Sequence, residues 1–269
     1  MSTAIRELVD RARQQQEEHE RRMATEPAYR AEQEHLAAER HEREVRERGA
    51  AERERAAMIE KGRRGKGVPE KFWPFLDAHR AGAAADLPAS VVRAHQWVVR
   101  FLAGAPGWTF LFLAGPPGVG KTAEAAWFLD APIVSTEPAD LWHEQVREVV
   151  RESAGRFATA AELAKASTYA GEFWEEISDA PRLVIDDLGV EQLDGKGYSL
   201  SNLAHLLYHR HAHELRTVVT LNMTKAAFAE RYATHDGGRL RDRLNESAWF
   251  VELAGPSLRK RLLLEESAP

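Results

Sequence analysis

The sequence predicts an α/β domain, a three-layer sandwich around a five-stranded parallel sheet, preceded by a charged helical N-terminal arm. Three observations predict it. From residue 109 onward, short continuous apolar runs alternate with helical patterns, as for strands buried on both faces and joined by crossover helices. The first run passes through glycines and prolines into Lys121-Thr122 and then straight into a helix. By contrast, the first 61 residues are dominated by Glu, Arg, Gln, Ala and His, mostly good helix formers with little to bury.

Composition sets the bounds. Of 269 residues 43% are hydrophobic, enough for a substantial core, and 29% are charged. The charge is unevenly spread: residues 1–66 hold 16 Lys/Arg against 15 Asp/Glu, whereas 67–269 hold 21 against 27. The larger part is therefore acidic, and attraction of the whole domain to nucleic acid is not expected; contact with DNA would come from a local basic rim. The absence of cysteine excludes disulfides and thiolate metal sites. The start, MSTAIRELVDRARQQQ, is charged from Arg6 and has no signal-type apolar stretch. No segment approaches the roughly 20 apolar residues of a membrane span. A soluble, cytoplasmic protein is expected.

In chain order, the arm reads as two helices, about 3–23 and 26–61, with Thr25 as cap and Pro27 in the first turn of the second. Its sparse apolar residues, Leu36, Val45 and Met58 among them, sustain no heptad seam. Two readings stand: a solvated charged arm, or a helical hook docking on a partner. GRRGKG (62–67) reads as a basic, glycine-broken hinge. GVPEKFWPFLDA (67–78) carries Phe72, Trp73 and Phe75 and reads as a strap packed on the following domain; hinge and strap together span 62–87, and the main domain 88–269. A helix is expected at 88–103. Strands are expected at 109–115, 132–136 (PIVST), 182–189, 216–222 and 248–253, with helices near 138–152, 160–178, 199–214, 224–231 and 237–245.

Gly115-Pro116-Pro117-Gly118-Val119-Gly120-Lys121-Thr122 fits G-x-x-x-x-G-K-[ST] in full, after a strand and opening a helix. Such a loop turns its backbone N–H groups onto phosphates at a helix N-terminus. Lys121 would reach the β and γ phosphates of ATP, and Thr122 would ligate Mg²⁺. Asp186 and Asp187 end the strand LVIDD, where Asp186 is placed to hold Mg²⁺ and Asp187 to orient or deprotonate the attacking water. Asn222 closes the next strand, either as a γ-phosphate contact or as a turn former. GGRLRDRLNE carries Arg239, Arg241 and Arg243, and Arg259 follows the last strand; a P-loop site often takes such an arginine from a neighbour. His205, His209 and His213 share one helix face at a spacing that can ligate zinc, but no nearby acid pattern completes a site, and a polar or interface face is expected.

GPPGVGKT, VIDDLG, TLN, RLRDRL and SLR, in that order, resemble the AAA+ ATPases of the DnaC/IstB group, which are helicase loaders and ATPase subunits of a transposon family. The resemblance covers about 67–264 and includes the strap; the arm matches only in being N-terminal and helical. It implies an AAA+ P-loop sandwich without a full C-terminal lid, since only about ten residues follow Ser257-Leu258-Arg259. It also implies the sensor 1 role for Asn222, the arginine finger for Arg243 (with Arg239 one turn before it) and sensor 2 for Arg259. Asp187 stands where many AAA+ proteins have Glu, so hydrolysis is expected to be slow and stimulated by DNA or partner. The implied function is a loader. Its homo-oligomer, an arc or spiral assembled with ATP, holds a DnaB-type replicative helicase through the arm and places it on single-stranded DNA. Two alternatives remain: an IstB-like transposition helper on double-stranded DNA, and a nucleotide-gated scaffold with negligible turnover.

Overall fold

The computed structural model describes residues 3–82, 87–104, 107–131, 155–166, 171–189, 198–232 and 239–259. They fall into two compact units, residues 1–61 and 62–269.

The first unit is helical. α1 runs Thr3–Thr25, and α2, Pro27–Gly65, begins in this unit. Thr25 does not cap α2: its hydroxyl donates back to the Arg21 carbonyl at 2.8 Å, so it closes α1, while Pro27 opens α2. Local contacts hold this junction. Arg30 donates to the Met23 carbonyl at 2.8 Å, and the Arg22 guanidinium lies 3.9 Å from the centre of the Tyr29 ring. Leu36, Val45 and Met58 are exposed.

The second unit is built on one sheet. β1 (Phe110–Ala114), β2 (Gly155–Thr159), β3 (Arg182–Leu188), β4 (Arg216–Leu221) and β5 (Ala248–Glu252) are all parallel, in the order β2-β3-β4-β1-β5. This is the three-layer α/β sandwich around a five-stranded parallel sheet expected from the sequence. Side chains alternate across β1 as the pleat requires. Phe110 and Phe112 enter one core with Ile185 and Val219, whereas Leu111 and Leu113 enter the other with Val184 and Val218. The first core is covered by α6 (Ala160–Lys165), α7 (Gly171–Asp179), α8 (Tyr198–Ala212), α9 (Lys225–Tyr232) and α10 (Arg239–Ser247). The second is covered by α3 (Trp73–Arg80), α4 (Ala89–Leu102) and α5 (Lys121–Asp130).

Three expectations change. The strand paired with β3 is GRFAT (155–159), which the sequence reading left between two helices; PIVST (132–136) and the helix at 138–152 lie outside the described residues. The helix expected over 160–178 is two helices. α6 ends at Lys165 and α7 begins at Gly171, with Thr159 and Glu162 forming a reciprocal capping box ahead of α6. The basic segment 62–67 is largely helical. Gly62 to Gly65 continue α2, and Arg63 and Lys66 are bound within the second unit.

That binding is specific. Arg63, 3% exposed, grips the Asp130 carboxylate with two hydrogen bonds of 2.9 Å and bonds Asp77 at 2.8 Å. Arg80 adds a third bond to Asp130 at 2.8 Å, and Lys66 donates to the Leu129 carbonyl at 2.6 Å. The Lys66 carbonyl in turn accepts from the Phe157 N–H at 2.7 Å, continuing the hydrogen bonding beyond β2. Burial pushes the Lys66 ammonium down to about 8, with the charge of Arg182 acting in the same direction. The strap then lies on the second core, with Val68 and Leu76 buried and Phe72, Trp73 and Phe75 packed around them. On the other side of the sheet Arg210 is fully buried. It donates to Thr217 Oγ1 (2.7 Å) and to the carbonyls of Ile177 (2.9 Å), Ser178 (3.0 Å), Ala180 (2.8 Å) and Arg216 (2.9 Å). It thereby ties the end of α7 to the starts of β3 and β4.

Burial by itself would raise the Asp130 carboxyl, but hydrogen bonds and charges from Arg63 and Arg80 outweigh it and hold the group below its ordinary 3.8. A lowered carboxyl stabilises the fold above 3.8, and that contribution is lost as pH falls through the lower folded value. Asp130→Asn is expected to cost roughly 3–5 kcal/mol in urea denaturation near neutral pH, because Arg63 stays buried without its charge partner. The difference from wild type should shrink on acidification below about pH 4.

Candidate functional site

The chemistry-bearing residues meet at the carboxyl ends of β1, β4 and β3. β4 pairs with β1 on one side and β3 on the other, so the loop after β1, the residue after β4 and the end of β3 lie side by side. In open α/β sheets this edge is where ligands bind.

The loop from Gly115 to Gly120 leads into α5 at Lys121. Gly115 and Gly118 have φ of 141° and 85°, conformations that strain a residue with a Cβ. A Cβ on Gly115 would lie 2.2 Å from the Leu253 carbonyl oxygen, and one on Gly118 would lie 2.1 Å from Ser257 Oγ. The chain after β5 thus runs against the loop, joined by Leu253 N–H to the Ala114 carbonyl (2.8 Å) and Leu258 N–H to the Gly118 carbonyl (2.9 Å). This sets Ser257, Leu258 and Arg259 beside the loop. Arg259 is exposed, and its charge acts on Lys121.

Lys121 is buried. Its ammonium donates to the carbonyls of Gly115 and Pro116, both at 2.8 Å, and to Asn222 Oδ1 at 3.0 Å. The amide of Asn222 donates in turn to Asp187 Oδ1 at 3.1 Å. Asn222 therefore spans the gap between the P-loop lysine and the second acid of β3, which a turn-forming role alone would not require. Burial lowers the Lys121 pKa from 10.5 and the charge of Arg259 adds to this, while Asp187 and Asp186 oppose it.

Asp186 is 7% exposed and accepts from the Thr220 hydroxyl at 2.6 Å and from the Thr122 hydroxyl. Burial raises its pKa above 3.8, with Asp187 adding and the two threonines opposing. Its link to Thr122 joins the two groups suited to one divalent ion: hard oxygen donors beside a phosphate loop. Asp187 sits at φ 56° and its N–H donates to Thr220 Oγ1 at 2.9 Å. The β3–β4 pairing shifts register between Ile185 and Leu188 at this point. The shift turns neighbouring carboxylates to different tasks: Asp186 toward Thr122, Asp187 toward Asn222. Thr220, fully buried, organises both acids and was not singled out from sequence. Its place near the end of β4, two residues before Asn222, is the available signal.

Arg239, Arg241 and Arg243 are exposed on α10. Arg241 bonds Asp242 at 3.4 Å, and the Arg243 guanidinium lies 5.2 Å from the Tyr208 ring centre. No bond described joins them to the Lys121 cluster. His209 pairs with Asp179 at 2.9 Å, and its ring lies 4.5 Å from that of His213, so this face is polar and partnered. No helix among the described residues is long and apolar enough to cross a membrane.

No protein-family model matches this chain, and neither does any curated protein. Among solved structures, it is similar to a crystal structure of DnaI, at 24% identity over 62% of this chain and 82% of that one, with a TM-score of 0.45. It is similar to a crystal structure of the DnaC helicase loader at 18% identity, covering 69% of this chain and all of that one, with a TM-score of 0.48. It is also similar to AMPPCP-bound DnaA from Aquifex aeolicus at 17% identity, covering 67% and 52%, with a TM-score of 0.44.

Thr220→Val keeps the shape of the buried side chain but leaves the Asp187 N–H without its acceptor and Asp186 with only the Thr122 hydroxyl as donor. The expected cost is about 1–3 kcal/mol in stability. Mg²⁺-dependent ATP binding, measured by calorimetry, should weaken by more than tenfold, while binding without Mg²⁺ changes far less.

Proposed function

We propose that this protein is an ATP-hydrolysing assembly factor of the DnaC/IstB group, acting as a helicase loader. The observation that carries the reading is the chain Lys121–Asn222–Asp187. A cation for phosphates, an amide and a carboxylate are linked through 3.0 and 3.1 Å contacts at the mouth of a glycine loop.

On ATP binding, Lys121 exchanges the Gly115 and Pro116 carbonyls for the β and γ phosphates. The backbone N–H groups of Gly118 to Thr122 hold the remaining phosphate oxygens at the α5 N-terminus. Thr122 and Asp186 would hold Mg²⁺, which supplies charge neutralisation on the phosphates. Asp187 accepts the proton of the attacking water and Asn222 fixes that water against the γ phosphorus. The water oxygen bonds to phosphorus as the bond to the β–γ bridging oxygen breaks. Asp187 is one methylene shorter than Glu, so turnover is slow. Arg259 completes the site from within the chain and Arg243 from the neighbouring protomer, which makes hydrolysis depend on assembly.

The arm supplies partner contact through its exposed Leu36, Val45 and Met58 among charged neighbours. The partner is a DnaB-type replicative helicase, and single-stranded DNA runs along the inner surface of the assembled arc or spiral.

Lys121→Ala is expected to lose ATP binding, and Arg243→Ala to bind ATP with wild-type affinity but turn over at least a hundredfold more slowly. Normal ATP affinity in the first, or full turnover in the second, would contradict these roles. The loader reading is tested by capture from native extract with ATP, using the full chain and a chain lacking residues 1–61, which leaves Arg63 and Lys66 in place. Recovery of a DnaB-type helicase by the full chain only is the expected result. Recovery of a transposase would instead assign the transposition branch.

A further inference from the structure

Beneath the strap lies a polar cluster that nucleotide chemistry does not use. Glu124, in the first turn of α5, has a fully buried carboxylate. His79 of α3 approaches one of its oxygens, Nε2 to Oε1 at 3.1 Å. His95 of α4 approaches the other, Nδ1 to Oε2 at 3.1 Å. Three different helices thus bring one ligand-type atom each together, all within 4.8 Å of one another. Among the described residues this is the one group of its kind.

Two ligand atoms each about 2.0–2.1 Å from zinc and at the tetrahedral angle lie about 3.3–3.4 Å apart. Each histidine nitrogen here lies 3.1 Å from its own Glu124 oxygen, so small side-chain shifts would seat one ion among the three residues. Two imidazoles and one carboxylate suit zinc and its neighbours in the transition series, not Mg²⁺ or Ca²⁺, which take oxygen. The rings are fixed from outside. His79 and His95 stack at 4.5 Å and 20°, Trp127 stacks on His79 at 5.1 Å, and Phe75 meets His79 edge-on at 4.3 Å. These contacts fix the rings, while His95, 27% exposed at its side chain, leaves a way in from solvent.

We propose that His79, His95 and Glu124 form a binding site for a divalent transition metal of the zinc class, which clamps the strap helix and α4 onto the first turn of the P-loop helix. Three protein ligands leave the fourth position to water. The site is separate from the Mg²⁺ position at Thr122 and Asp186, and occupancy does not require nucleotide. Its effect is to lock α5, which begins at Lys121, against the two helices that cover it.

The test uses full-length protein stripped of metal, with Zn²⁺ titrated against a chromogenic chelator and Co²⁺ as a spectroscopic probe. One zinc per chain, a rise in melting temperature with zinc, and the visible absorption of tetrahedral Co²⁺ are expected. His95→Ala, at the partly exposed ligand, should fold without metal as wild type does, yet lose at least tenfold in zinc affinity and lose the Co²⁺ bands. Glu124→Gln should do the same, while His209→Ala/His213→Ala should leave all three readouts intact. Failure of wild type to bind zinc stoichiometrically would overturn the site. So would unchanged binding in His95→Ala, or loss of binding in the His209/His213 variant; in each case the cluster is only a hydrogen-bonded tie.

Discussion

The position of β4 between β1 and β3 is the constraint on which the site depends. Parallel pairing on both sides of β4 puts Ala114 beside Leu221 and Ile185 beside Val219. Whatever follows β4 must then lie between the phosphate loop and the acids. Thr220 and Asn222, two residues apart, use that position in different ways. The first, inside the strand, sets Asp186 and the Asp187 backbone; the second, beyond its end, links Lys121 to the Asp187 carboxylate. A slip of the strand by one residue would turn both side chains to the opposite face and dissolve the cluster.

Around that sheet the second unit is held by buried charges as well as by apolar packing. Asp130, Arg210 and Glu124 are each taken out of water and each satisfied by groups from other elements. Burying ions in this way adds little net stability over apolar packing, but an incorrect arrangement would leave a charge unpaired. The strap, the end of α5 and the edges of β3 and β4 are therefore held to one mutual arrangement.

The glycine loop was legible because its residues are contiguous and form one local pattern. Asp186 and Asp187 were legible for a related reason, since a strand ending in acids is a local pattern. The location of Asn222 between them needed only the order of strands. Other features were hidden because their causes are distant in sequence. Arg63 reads as part of a basic, glycine-broken hinge until Asp130, 67 residues on, is brought to it. GRFAT, with a glycine and an arginine in five residues, looks less like a strand than the apolar PIVST, yet its edge position beside β3 tolerates both. Arg210 was passed over among histidines because nothing local marks an arginine as buried. Glu124 and its two histidines lie 29 and 45 residues apart and share no motif.

In the proposed function each catalytic site is completed across two protomers. The direct measurement is ATP turnover in a mixture of Lys121→Ala and Arg243→Ala chains, with single-stranded DNA present, against each variant alone. In the mixture an Arg243→Ala protomer can bind ATP and receive its arginine from a Lys121→Ala neighbour. Two inactive proteins are then expected to regain turnover when mixed. A mixture as inactive as its components, while wild type hydrolyses ATP under the same conditions, would contradict it.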